Sequence, residues 1–474
     1  MVEGYPQPAH NEDAAVDYIA PIFLAVGCIA VARAVRAWRG GRASLPLLIH
    51  NYAWAGALAI FSMHLVAYDS MSRKAWLLLG ASITAFDLGA VMLLSGARVR
   101  RTGGSDDTPR VAPGSIVMRW ILPGMFALGV VLYLRAIASV FGITALLKDP
   151  SSVRSLQGQA EFLSAYSVPA RVLYGLGPMC FVAYALPDVS GVRTRGAVRL
   201  FVLGGVMLAL LASLGRTLLF VSFAWLAVAV IVSGPASHKR SRSDVQRRRR
   251  VVLVGLAAGL TLFQLVASVL GKTGSSDPRT QQYVAPILRG SPLTSVVIYL
   301  SGGIAAFGKL VSGDVPATNQ TGGVEVGAAP DWGKDIIGPA SRALGMHPRD
   351  EVRPFVNTPF PTNAYTYLDT FWYDFRDPGV VLLPFVLAAA LTWVAGRRLK
   401  PGPPIIAASL VLAVVLWAPF SNRFSDTGVW SSLILLAVSA KEPRRSLAVH
   451  QRQAAPIDGQ RGRLASNPSG RREL

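Results

Sequence analysis

LFVLGGVMLALLASLGRTLLFVSFAWLAVAVIVS, residues 200–233, is an apolar run of 34 residues broken only by Ser213-Leu-Gly-Arg-Thr217. As one helix it would be about 51 Å long at 1.5 Å per residue, against a bilayer hydrocarbon core of roughly 30 Å. Arg193, Arg195 and Arg199 precede it, and HKRSRSDVQRRRR at 238–250 follows it. Two strongly basic flanks belong on the same, cytoplasmic side of a membrane, which requires an even number of crossings. The run therefore reads as two short helices with Gly215-Arg216 at the outer apex of a hairpin.

The same reading extends along the chain. Apolar runs at 15–32, 45–67, 75–96, 116–140, 168–186, 251–270, 379–396, 404–419 and 428–440 join the hairpin to give about eleven transmembrane helices. The fold class is an all-α polytopic membrane protein, N-terminus out and C-terminus in. Residues 1–14 form an acidic outer tail, 15–270 carry helices 1–8, and 271–378 form one large extracytoplasmic loop with interfacial helices. Residues 379–440 carry helices 9–11, and 441–474 form a basic cytoplasmic tail whose Pro, Gly, Ser and Gln content predicts disorder. Leu293–Leu310 is moderately apolar but contains Gly302-Gly303 and Lys309. A crossing there would break the parity with the basic Arg397–Lys400 loop, so an interfacial or re-entrant helix is expected.

Bulk properties agree. The 474 residues are 52% hydrophobic and 15% charged, where soluble domains carry about 25%. The net charge of +21 could suggest nucleic acid, but its distribution argues otherwise. The expected cytoplasmic loops hold 30 of the 47 Lys/Arg and only 7 of the 26 Asp/Glu. The charge reports membrane orientation and contact with anionic lipid, so no nucleic-acid partner is expected. Cys28 and Cys180 lie far apart in apolar runs, outside any metal or redox spacing.

Familiar catalytic motifs are missing. There is no G-x-x-x-x-G-K-[ST], no H-E-x-x-H and no G-x-S-x-G. The six histidines (10, 50, 64, 238, 347, 450) are scattered, so neither a metal nor a cofactor is expected. What remains is a set of arginines at the outer boundary: Arg135, Arg154, Arg171, Arg216, Arg279, Arg289, Arg376 and Arg423. A guanidinium binds phosphate through paired N–H bonds and keeps its charge, so these could form a diphosphate clamp. They could equally anchor helix ends to headgroups or pair with loop carboxylates. Asp87, near the middle of the third span, is either a functional intramembrane carboxyl or an acid bonded to a neighbouring helix. Asp369, Asp374 and Asp377 lie among Tyr365, Tyr367, Phe371, Trp372, Tyr373 and Phe375. Such a mixture suits sugar rings, and it also suits a membrane-interface aromatic belt.

Three segments carry a resemblance: Ser213-Leu-Gly-Arg-Thr217; Tyr299-Leu-Ser-Gly-Gly-Ile-Ala-Ala-Phe307; and Thr362-Asn-Ala-Tyr-Thr-Tyr-Leu-Asp-Thr-Phe-Trp-Tyr-Asp-Phe375 leading to Gly379. Together with the helix count and the position of the long loop, they resemble the Wzy-type oligosaccharide repeat-unit polymerases of the O-antigen polymerase and ligase group. Arg279 and Gly290 match an R-x10-G spacing found in some members. Where many members run Asp-Phe-Gly into the next span, this chain has Asp374-Phe-Arg-Asp-Pro-Gly379. The resemblance implies a metal-independent glycosyltransferase on the outer face of the cytoplasmic membrane. Its partners would be membrane lipid, a polyprenyl-pyrophosphate-linked oligosaccharide and other polysaccharide-assembly proteins. It implies Arg216, Arg279 and Arg289 on the pyrophosphate, and Asn363, Tyr367, Trp372 and Arg376 near the sugar. Asp374 or Asp369 would be the catalytic base, ahead of His347. A ligase, a flippase or transporter of lipid-linked oligosaccharide, and a non-catalytic scaffold are the alternative readings.

Overall fold

The computed structural model describes residues 12–39, 41–96, 116–142, 144–149, 153, 162, 165–192, 194–212, 216–233, 242–269, 278–313, 330, 332–346, 356–359, 361–362, 365–397, 402–421, 423 and 426–441. The hairpin apex 213–215, the linker 102–113, Arg154, His347, Asn363 and the tail from 442 lie outside them, as does most of 1–14.

A backbone in hydrocarbon has no water to bond, so apolar runs must close their hydrogen bonds internally as helices. Among the described residues, the α-helices longer than four residues are α1 Glu12–Trp38, α2 Leu45–Ser62, α3 Arg73–Gly96, α4 Leu122–Val140, α5 Val168–Tyr174, α6 Gly177–Ala185, α7 Gly196–Ala212, α8 Arg216–Val232, α9 Arg242–Val269, α10 Leu293–Ser312, α11 Gly338–Ala343, α12 Leu368–Gly396, α13 Pro403–Trp417 and α14 Thr427–Lys441. Among the described residues, seven stretches are helical, long and apolar enough to cross a membrane: α1, α2, α3, α4, the α5–α6 pair, α10 and α12. Shorter apolar segments occur in α7, α8, α9, α13 and α14. Large side chains point away from the protein interior, among them Ile19 and Phe23 on α1, Leu77 and Leu88 on α3, and Leu382 and Val386 on α12. Such stripes are stable only against an apolar solvent. The chain is an all-α membrane protein.

Local chemistry shapes the helices. The 200–233 run is two helices, α7 and α8. α4 is preceded by a wide π turn at Val117–Ile121, and the Tyr184 hydroxyl donates to the Arg119 carbonyl in it at 2.6 Å. α5 and α6 part at Gly175, where a Cβ would lie 2.8 Å from the Cα of Gly428. One apolar core joins α4, α6, α7, α8, α13 and α14; another joins α1, α2, α3, α10 and α12. α13 is common ground. Its Ile405, Ile406 and Leu410 pack in the first core, Val415 packs with Leu47 and Phe86, and Ser409 accepts from Trp225 Nε1 at 2.9 Å.

α10 is long enough to cross, yet both of its halves meet the same end of the bundle. Ser295, near its start, bonds Gln264 close to the end of α9, and Tyr299 packs edge-on to Trp417 at the end of α13. Ser301 meets the Tyr68 hydroxyl at 2.9 Å, and Lys309 pairs with Asp69 at 2.9 Å; both partners lie between α2 and α3. Val284, which precedes α10, bridges antiparallel to Val66 in that same connection. α10 thus lies across one end of the bundle.

The aromatic and acidic run before Gly379, whose composition suits either sugar rings or a membrane-interface belt, is largely inside the protein: α12 starts at Leu368, and Tyr365, Tyr367, Phe371, Trp372 and Tyr373 are all buried. Their rings pack in the core with Trp54, Leu58, Trp76 and Phe307, and burying each such side chain contributes about 1.5–3 kcal/mol. α12 breaks at Arg376 (φ 56°, ψ −147°), just before Pro378, and Gly379 then packs against the Phe371 carbonyl and Phe375.

Gly303 is the tightest backbone approach in α10: a Cβ there would lie 2.8 Å from the Pro419 carbonyl oxygen. Gly303→Ala is expected to destabilise the folded protein by about 1–3 kcal/mol. Gly56→Ala, where a Cβ meets nothing within 4 Å, is expected to be neutral or stabilising. Thermal unfolding of both variants in detergent reads the difference.

Candidate functional site

The end of the bundle crossed by α10 gathers most of the residues singled out from the sequence. Tyr365 and Thr366 come up to the Gly303 backbone, the Thr366 amide within 3.4 Å of a would-be Cβ, and the Tyr367 amide donates to the Ala418 carbonyl at 2.8 Å. The segment leading into α12 is therefore wedged between α10 and the end of α13. Burial pushes the Tyr68 phenol well above its ordinary range, against the opposing hydrogen bond with Ser301. Tyr68 therefore stays neutral and acts as a hydrogen-bonding post.

The carboxylates have different surroundings. Asp374 is 0% exposed. Its two oxygens accept the backbone amides of Asp335 at 3.1 Å and Ile336 at 2.9 Å, and its carbonyl accepts the Trp332 amide at 3.1 Å. A carboxylate engaged in this way holds a turn in place. The backbone amides of 335–336 thus engage both carboxylate oxygens of Asp374, one of the two residues expected as the base. Asp369 lies buried in the first turn of α12, where a negative charge complements the helix N-terminus, and Thr370 Oγ1 is 3.4 Å from its Oδ1. Asp377 pairs with Lys74 at 2.7 Å, and Asp426 with Arg423 at 3.2 Å.

The sugar candidates divide in the same way. Tyr367 is buried, its hydroxyl 3.4 Å from His50 Nε2. Trp372 is buried with Arg376 stacked over its ring at 4.2 Å. Asn363 lies outside the described residues. Nothing in the sequence marked Trp332, which stands 73% exposed on the turn held by Asp374.

Among the arginines, Arg289 is exposed; its Nε donates to the Val284 carbonyl at 3.1 Å, which leaves the rest of the guanidinium facing outward. The Gly290 amide donates to Gln281 at 3.0 Å, closing the loop that starts beside Arg279 in the short helix Pro278–Gln281. Arg279 and Arg289 thus flank one loop. Arg216 opens α8, one turn before Phe220, which packs against Trp417 with ring centroids 4.6 Å apart. The side chains of Arg216 and Arg279 lie outside the described residues. Arg171 donates to the Tyr166 carbonyl at 2.9 Å, an anchoring role. Asp87 accepts from Asn51 Nδ2 on α2 at 2.6 Å, the neighbouring-helix bond that was one of its two readings. Among the described residues, no three His, Cys, Asp or Glu side chains come together as a metal-binding group.

Asp374→Ala strands the Asp335 and Ile336 amides, and each buried unpaired group costs about 1–3 kcal/mol. Hydrogen exchange at 332–337 is expected to accelerate sharply in this variant, and less in Asp374→Asn, which keeps one acceptor oxygen. No protein-family model, curated protein or solved structure matches the chain.

Proposed function

We propose that this chain is a glycosyltransferase of the cytoplasmic membrane that polymerises polyprenyl-pyrophosphate-linked oligosaccharide repeat units on the outer face. The observation that carries the reading is a convergence. The three segments of the resemblance are far apart in sequence. Gly303 of the second touches Tyr365 and Thr366 of the third. Phe220, one turn beyond the first, shares Trp417 with Tyr299 of the second.

The proposed topology has eleven crossings, N-terminus out and C-terminus in, with α10 laid across the outer end. Its supports are the one-sided charge of the alternating loops and the contacts of both halves of α10 with one end of the bundle.

In the proposed reaction the acceptor hydroxyl attacks the anomeric carbon of the donor glycan. The carbon–oxygen bond to pyrophosphate breaks, the new glycosidic bond forms, and polyprenyl pyrophosphate leaves with the electron pair. Arg216, Arg279 and Arg289 stabilise the negative charge on the leaving group. Asp369 takes the hydroxyl proton, and Asp374 positions the outer turn. Tyr367, Trp372 and Arg376 shape the wall behind the sugar.

Removing one preorganised donor to developing charge costs about 10²–10³ in rate. Arg216→Ala and Arg279→Ala are therefore expected to collapse surface glycan to one or a few repeats in cells otherwise lacking the chain. Wild-type chain lengths in both variants at equal expression would overturn the clamp.

A further inference from the structure

Residues 332–346 carry four large apolar side chains that the protein leaves open: Trp332 (73% exposed), Ile337 (41%), Leu344 (70%) and Met346 (43%). This segment is not a floppy loop. Asp374 holds its first turn, Ser341 Oγ donates to the Lys334 carbonyl at 2.9 Å, and the Met346 amide donates to the Ser341 carbonyl at 2.9 Å. Trp332 and Gly333 both sit at positive φ, 51° and 88°. For tryptophan that region is strained, so the hydrogen bonds to Asp374 hold the ring in a place it would not choose by itself.

The depth of the turn can be read from what holds it. Asp374 lies five residues before Gly379, where the uncharged run of α12 begins. The Trp332 ring meets the edge of Phe375, centroids 6.2 Å apart. Lys74 at the start of α3 and Asp377 in α12 form an ion pair that marks the same polar boundary. α11, in the middle of the segment, packs against α14, which begins at Thr427 on the same end of the bundle. The open apolar side chains therefore stand where the helices leave hydrocarbon.

We propose that 332–346 is a membrane-interface anchor, seated in the outer lipid headgroup layer beside α12 and α14, and that Asp374 is the positioning residue that seats it. A Trp ring belongs at that depth, and Ile337, Leu344 and Met346 dip toward the acyl chains. Lys334, exposed on the same turn, reaches headgroup phosphates while its stem lies on apolar surface. Three aliphatic side chains offer nothing to sugar hydroxyls, which favours lipid over glycan as the occupant. The anchor fixes the height of the loop between α10 and α12 above the bilayer, whatever chemistry that loop performs.

The test uses the full chain in nanodiscs of phosphatidylethanolamine and phosphatidylglycerol, with a bimane label on Trp332→Cys. Native Cys28 and Cys180 are buried. A nitroxide on the lipid headgroup is expected to quench the label more strongly than one at the acyl-chain end, and aqueous iodide is expected to quench it weakly. Adding Asp374→Ala is expected to lose most of the lipid quenching and restore iodide quenching, while the protein still melts cooperatively. A Leu344→Cys label serves if the Trp332 variant does not fold, with the same expectation. Free quenching by iodide with none by lipid nitroxide overturns the proposal, as does shielding that appears only when a lipid-linked oligosaccharide is added.

Discussion

The assembly around α10 depends on one glycine, Gly303, that lets backbone meet backbone. At Gly302 and Gly303, α10 carries no side chain toward Pro419, Thr362 or the Tyr365–Thr366 peptide. A Cβ at Gly303 would lie 2.8 Å from the Pro419 carbonyl oxygen, a distance that forces something to shift. This approach sets the height of the chain leading into α12, and with it the start of that helix. It also lets the Tyr367 amide reach the Ala418 carbonyl, satisfying two groups where water is scarce. Around this contact the hydrogen bond between Tyr68 and Ser301 and the ion pair between Lys309 and Asp69 tie α10 to the connection between α2 and α3.

A second constraint lies a few residues further on. The break at Arg376 separates a short buried helix from the long apolar run that begins at Gly379. Asp374, just before the break, clasps the turn at 332–336. The turn at 332–336 and the start of α12 are therefore fastened to each other through the Asp374 carboxylate and carbonyl. Under the proposed function, that arrangement is the platform on which arginines from two separate elements grip a lipid-linked substrate.

Much of this was legible in the sequence. The double basic flank of 200–233 and the excess length of that run called for two helices, and α7 and α8 are there. Gly302-Gly303 and Lys309 stood out in the sequence, and they are where α10 makes close contacts, although the helix is long and apolar enough to cross a membrane. The aromatic run 365–375 was not legible, because composition alone does not separate an interface belt from a buried wall. Only the tertiary partners of those rings, Trp54 and Trp76 among them, decide the matter. The role of Asp374 was hidden for a related reason: its partners are backbone amides 38 and 39 residues away, and amides have no sequence signature. Trp332 drew no notice because an isolated tryptophan in a polar stretch becomes distinctive only once its strained turn is known.

In the proposed topology α10 lies across the outer end, with both of its own ends on one side of the membrane. Leu293 and Ser312 stand at those ends, and both are exposed. Leu293→Cys and Ser312→Cys, each treated in intact cells with a membrane-impermeant maleimide, test the claim most directly. Modification of both without permeabilisation is the predicted result; a Ser312→Cys that reacts only after the membrane is opened would contradict it.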